Sequence, residues 1–479
     1  MTTTENSPVR IGLMGIGLNV YWSQFEGLED RVRDHLKKVH DHINQNDVDV
    51  VSAGLVDDID KAFAAGDLFR SQSVDIIFLF ATTYAVSSTV LPAVQRAGVP
   101  VIVLNLQPGK VLDFKEFNAL PDKVEMTGKW LEWCNACPVP EIANVFKRAK
   151  IDFHQITGTL DDDDLCWQDI KQWVEAAQVR HILSYNRCGL LGHYYNGMLD
   201  IYTDVTLLQS TFGGHFEILE MEELAEIHSQ TSDDLIQKRI TDFHSHFDLQ
   251  DGVSEFELER AAKTSVALDG LVERYKLGSM AYYYEGSPGS VHQDLIGSFI
   301  LGGSMLIDNH VAIAGEYEVK NALAMKIMDS FGVGGSFTEF VTVDFKNDIV
   351  LLGHDGPGHI AIAEGKTKVR PLDVYHGKPS SGLSVEMSVA YGPITLLSVI
   401  EDADCGFSLL IAEGHSVEGE ILEIGNTNSR YKFPIGAKAF VENWNQNAPA
   451  HHCAIGVGHI SDKLIKLAKI LDIKSIQVC

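Results

Sequence analysis

Glu316, Glu339, His354 and His452 supply two carboxylates and two imidazoles, each in small, Gly-rich surroundings: AGEYEVKNA, GVGGSFTEF, LLGHDGPGH and APAHHCAIGVGH. Oxygen donors favour Mn²⁺ or Mg²⁺, and imidazole draws the preference toward transition ions. Two of each suits Mn²⁺, with Co²⁺, Mg²⁺ or Fe²⁺ as alternatives. A cation that chelates two neighbouring oxygens of a small molecule can polarise a carbonyl while a carboxylate moves the proton beside it. Glu316 and Glu339 are the candidates for that proton transfer. Taken singly, each of the four reads as a surface carboxylate or a hydrogen-bonded core histidine. Their neighbours raise the interest. Gly334 and Gly335 permit backbone conformations and close approaches just before Glu339. Gly353, Gly356, Pro357 and Gly358 wrap His354 in turn chemistry, where functional groups are commonly carried.

The chain that must position these groups has 479 residues, too many for one hydrophobic core. Its 45% hydrophobic and 22% charged residues are ordinary for globular domains. A formal net charge of −28 argues against nucleic acid and anionic membrane as partners and tolerates neutral sugars and divalent cations. The apolar runs have strand length, and residues 1–9 lack a basic start and an apolar stretch, so a cytoplasmic location is expected. Seven cysteines are too few for a disulfide scaffold. The lone CNAC of Cys134 and Cys137 is read as a pair of structural thiols; a redox pair or half a zinc site is the alternative, though no second CxxC completes a zinc cage.

An α/β class is expected: N-terminal and central doubly wound parallel-sheet domains (1–178 and 179–335), then a mainly antiparallel, β-barrel-like domain (336–479) with a terminal helix. Runs at 9–16, 48–55, 74–80 and 99–106 read as parallel strands, separated by helical patterns at 25–43, 59–70 and 86–97. Asn19, Gln24 and Gln107 fall at the carboxyl ends of these strands, where ligands of such sheets gather. Gly12, Gly15 and Gly17 do not complete a dinucleotide fingerprint, because position 20 is Val20. A second α/β unit is expected from about 150, with a strand at 151–158, a helix at 164–177 and a strand at 179–185. Asp161 to Asp164 read as a helix-capping cluster. Long helices are expected over 232–280. Beyond 335 the alternation of apolar and polar residues, punctuated by Gly-Pro and Asn-Asp turns, predicts antiparallel strands.

The order of these segments, with AGEYEVKNA, GGSFTEF, VLLGHDGPGH and APAHHCAIGVGH in sequence, resembles the L-fucose/L-arabinose isomerase family, the arabinose-isomerase side being closer. The likeness is specific over 312–360 and 448–459; earlier it rests on fold order and on YWSQF, LNLQP and YNGMLDIYTD. It implies Mn²⁺-dependent interconversion of a pentose or (6-deoxy)hexose aldose with its ketose through a cis-enediol. It also implies Glu316, Glu339, His354 and His452 as ligands, a monosaccharide substrate, and a homo-oligomer (hexamer or trimer). Gln24, Gln107, Met198 and His451 are the expected substrate-binding positions. The HDGPGH loop, with its additional His359, and the YWSQF segment depart from arabinose isomerases, which leaves the sugar open. His359 is read as a turn residue in preference to a fifth ligand. A metal-dependent epimerase or aldolase would use the same enediolate, and a non-catalytic sugar-binding protein is the reading from another class.

Overall fold

Short Val/Ile-rich runs between amphipathic helices build the first of two compact units, which divide at His181/Ile182. The computed structural model describes residues 8–46, 48–372, 381–404 and 406–479. Residues 1–7, on which part of the expectation about a leader falls, and Cys405 lie outside the described residues. In the first unit β1 (Arg10–Ile16), β2 (Asp49–Val56), β3 (Ile76–Ala81), β4 (Val101–Gln107) and β5 (Phe153–Thr159) form one parallel sheet in the order β2-β1-β3-β4-β5. Every residue of β3 is buried, as a strand covered on both faces requires. The helix Leu28–Asn44 buries Leu28, Val32, Leu36, Val39 and Ile43, the apolar stripe visible in the sequence. A Cβ on Gly15 would lie 2.9 Å from Thr82 Cγ2 and 3.0 Å from Leu36 Cδ2, so there is little room for a side chain here.

Three local expectations are corrected. β5 pairs with β4 and completes the first sheet rather than opening a second α/β unit. Residues 179–185, read as a strand, continue the helix Asp164–Tyr185. No glycine or proline interrupts residues 164–188, so the helical ladder has no local breaker before Asn186. Cys134 and Cys137 are a disulfide, not thiols: the turn between the helices Lys123–Glu132 and Val139–Arg148 brings their Cα atoms to 5.6 Å, within bridging range. The aspartate cluster does cap: Asp163 accepts from the backbone N–H groups of Thr159 and Cys166, while Asp161 pairs with Lys38.

The second unit contains a parallel sheet and a barrel. Its strands are β6 (Arg187–Gly192), β7 (His215–Leu219), β8 (Asp248–Leu249), β9 (Ser279–Tyr283), β10 (Ala312–Ala314), β11 (Gly334–Asp344), β12 (Ile349–His354), β13 (Lys368–Leu372), β14 (Gly382–Glu386), β15 (Gly392–Glu401), β16 (Phe407–Val417), β17 (Thr427–Lys432), β18 (His452–Val457) and β19 (Lys474–Gln477). The sheet runs β10-β9-β6-β7, all parallel. The antiparallel strands follow β15-β18-β11-β12-β17-β16, and a further pairing of β15 with β16 closes them into a six-stranded barrel. β19 adds to β16 in parallel. Leu352, Leu396, Leu410, Tyr431, Phe440 and Trp444 belong to the buried core of this part. Each such side chain contributes roughly 1.5–3 kcal/mol by leaving water. The expected helices over 232–280 are Asp233–His246 and Glu255–Tyr275. No helix of the described residues is long and apolar enough to cross a membrane.

Candidate metal centre

Glu316 follows β10, at the carboxyl edge of the second unit's parallel sheet. The backbone turns there through two consecutive left-handed residues, Glu316 (φ 55°) and Tyr317 (φ 62°), before the helix Val319–Ser330 begins. Neither is a glycine, so each costs on the order of 1 kcal/mol or more and must be held by its surroundings. Tyr317 N–H donates to the Tyr282 carbonyl at the end of β9 (3.0 Å), and Glu318 N–H donates to the Gly315 carbonyl (3.0 Å). The barrel approaches the same edge. On β11, Glu339 stands opposite His452 of β18 on one side and Gly353 of β12 on the other, with His354 next in line. Gly334 (φ 88°) and Gly335 (φ 139°) allow this approach. A Cβ on Gly335 would lie 2.6 Å from the Met325 carbonyl oxygen, and one on Gly334 would lie 2.4 Å from Ile362 Cγ2.

Three imidazoles converge on the Glu316 carboxylate. His452 Nε2 lies 3.6 Å and His451 Nε2 3.7 Å from Glu316 Oε2, while His354 Nε2 lies 3.9 Å from Oε1. Ligand atoms of Glu316, His451 and His452 all lie within 4.8 Å of one another, so this Glu/His/His cluster could hold a metal ion. The separations exceed a hydrogen bond. They suit donors around one cation, since two bonds of about 2.0–2.2 Å at tetrahedral or wider angles span roughly 3.4 Å or more.

The remaining nitrogens support the same arrangement. His452 Nδ1 bonds to the buried Glu318 carboxylate and His354 Nδ1 to the Asp355 carbonyl, which leaves Nε2 of each ring for the centre. Metal-binding histidines are commonly oriented by such partners. Glu316 Oε2 and His452 Nε2 are buried without a hydrogen-bond partner, which a native interior rarely tolerates unless something else satisfies them. Phe337 packs against both rings, its centroid 4.5 Å from that of His354 and 4.3 Å from that of His452.

The electrostatics of His354 and His452 are consistent with ligation. Burial, reinforced by the His452 neighbour, pushes His354 down to about 3; burial and the adjacent His451 push His452 down to about 3. Both are therefore neutral at pH 7, the form that ligates. Burial would raise the Glu316 carboxyl, but His451, His452 and His354 together hold it below its ordinary value. His451 goes the other way, raised to about 9 by Glu316, with Asp200 adding to the effect against burial.

Glu316, Glu339, His354 and Met198 line one cavity of about 250 Å³, walled also by Tyr195, Tyr282, Tyr283 and Asn426. The structure thus places Glu316, Glu339, His354 and Met198 on one cavity and His452 against Glu316, while the cluster that could hold an ion comprises Glu316, His451 and His452 without Glu339 or His354. It places His451, expected as a substrate contact, in the Glu/His/His cluster itself. Gln24 and Gln107 belong to the first unit, where Gln24 Nε2 donates to the Val20 carbonyl and Gln107 ends β4. His359, expected as a turn residue, is buried just before the short helix Ile360–Ile362, and its backbone N–H donates to Ser336 Oγ. Sequence reasoning missed Glu318, Asp200 and Lys320. Glu318 carried a faint signal, an acid two residues from Glu316, whereas Asp200 carried none. No family model and no curated protein matches the chain.

Proposed function

We propose that this protein is a metal-dependent aldose–ketose isomerase acting on a neutral monosaccharide, a pentose or a (6-deoxy)hexose. One observation carries the reading: two glutamates on different elements, Glu316 and Glu339, line a single small cavity beside imidazoles turned toward Glu316. The resemblance of AGEYEVKNA, GGSFTEF, VLLGHDGPGH and APAHHCAIGVGH to the L-fucose/L-arabinose isomerase family supports it independently. Glu316, His354 and His452, with Glu339 beside them, would hold Mn²⁺ or a similar ion. When bound, such an ion supplies Lewis-acid polarisation of the sugar carbonyl.

The chain's own residues account for the rest. Glu339 lines the cavity from the barrel wall and is assigned the proton transfer: its carboxylate takes the C2 proton of the open-chain aldose. The C2–H electrons form the C1–C2 double bond of a cis-enediol as O1 gains a proton. Return of the carried proton to C1, with loss of the O2 proton, gives the ketose, and no oxidant is consumed. Tyr195, Tyr282 and Tyr283 offer phenol faces and hydroxyls to a polyol. Burial raises the Tyr283 phenol, so it stays neutral. Among the described residues no lysine or arginine lines the cavity, which disfavours phosphorylated or acidic sugars.

The test is incubation with a panel of aldoses and ketoses, with chelator or added Mn²⁺, followed by proton NMR. The expected result is a ketose from one or more aldoses, lost with chelator, and more than a 100-fold drop in kcat for Glu339→Gln, the scale of removing a general base. Retention of over about a tenth of the rate by Glu339→Gln would overturn the assignment. Epimer or cleavage products would overturn the isomerase.

A further inference from the structure

His451 and His452 are adjacent in sequence, yet they are held from different places. Asp200 lies on the loop after β6, 251 residues from His451. One of its oxygens, Oδ2, accepts both from His451 Nδ1 (2.6 Å) and from the His451 backbone N–H (3.0 Å). That double grip fixes the ring and the peptide together. With Nδ1 so occupied, the other nitrogen, Nε2, is the one that faces Glu316 Oε2 at 3.7 Å. The Asp200 loop is anchored in turn. Lys320, 5% exposed, donates its Nζ to the carbonyls of Asp200 (2.8 Å) and Tyr202 (3.2 Å). The segment Glu316–Lys320 therefore braces both imidazoles: Glu318 holds His452 directly, and Lys320 holds His451 through Asp200.

We propose that Asp200 is a positioning residue that presents His451 Nε2 to the centre, making His451, which gives up its Nε2 proton as the ion binds, a donor alongside Glu316 and His452. The proposal rests on the reading of this cluster as a metal centre. Without Asp200 the ring, 36% exposed, is free to swing toward water, and the ion loses one imidazole. Loss of a partner that orients a ligand typically weakens metal affinity about 10–100-fold.

The experiment uses the full chain, stripped of metal with chelator and titrated with Co²⁺. The dissociation constant is read by competition with a chromogenic chelator, and the coordinated imidazoles by the visible ligand-field bands. Asp200→Ala is expected to bind Co²⁺ about 10–100-fold more weakly, with altered bands. Asp200→Asn keeps an acceptor oxygen and is expected to stay within about 3-fold of wild type, with unchanged bands. Should Asp200→Ala not fold, Asp200→Ser, too short to reach the ring, takes its place. If wild type binds no Co²⁺, the metal reading itself fails. If wild type binds and the Ala or Ser variant matches it in affinity and spectrum, Asp200 does not position His451 and the proposal falls alone.

Discussion

His452 and Glu318 form a buried pair in which the Glu318 carboxyl meets Nδ1 and His452 Nε2 faces Glu316 Oε2 at 3.6 Å. Burial raises the Glu318 carboxyl, and nearby Lys320 opposes that rise. Replacing Glu318 by Leu removes the ring's partner and should weaken Mn²⁺ binding about 10–100-fold, while Gln keeps a hydrogen-bonding group beside Nδ1 and should lose less. Calorimetric titration of the metal-free variants measures both. Equal affinity in Glu318→Leu and wild type would show that the pair does not orient a ligand.

Metal should also stabilise the fold. At a free Mn²⁺ concentration 100 times the dissociation constant, the gain is about 2.7 kcal/mol. A thermal melt with and without Mn²⁺ should show an upward shift that chelator reverses and Glu316→Gln abolishes. A Glu316→Gln variant that responds like wild type would remove Glu316 from the ligand set.

Gly335 combines a φ of 139° with a carbonyl oxygen 2.6 Å from where a Cβ would sit. Gly335→Ala is expected to cost about 1–3 kcal/mol in urea unfolding, because strain and overlap act together. Gly332 (φ 73°) has no atom within 4 Å of its Cβ position, so Gly332→Ala carries strain alone and should cost less. Equal losses would mean that the backbone near Gly335 gives way easily.

Stability should fall in mild acid through His359. Burial holds its folded pKa below the ordinary 6.5. As pH drops below about 6.5 the unfolded chain takes up this proton first, so stability declines by up to about 1.4 kcal/mol per pH unit until the folded pKa is reached. Above pH 6.5 this residue contributes no slope. His359→Leu should flatten the decline in urea midpoints between pH 6.5 and 5; an unchanged slope would assign it to other groups.

The class of the fold was readable because its carriers are local. The alternation around TEFVTVDFKNDIVLLGH predicts the β11–β12 hairpin, and the stripe Leu28 to Ile43 predicts its helix. The misread segment, 179–185, has apolar residues that fit a strand or a buried helix, and only the missing breaker favours the helix. At the centre, Glu316, Glu339, His354 and His452 stood out through glycine-rich neighbours. Asp200 and Lys320 did not, since their roles depend on a contact 251 residues away in sequence and on backbone carbonyls. The Cys134–Cys137 bridge was hidden for a different reason: CNAC spacing serves thiols, metal and disulfide alike.

Closure of the barrel by β15 and β16 has a consequence for how well the candidate donors keep their alignment. Glu339, His354 and His452 sit on three adjoining staves, and sliding any one by a single residue would turn its donor to the opposite face. A ring of strands leaves no loose end at which such sliding can start. The alignment of these side chains is therefore expected to persist through local fluctuations of the barrel.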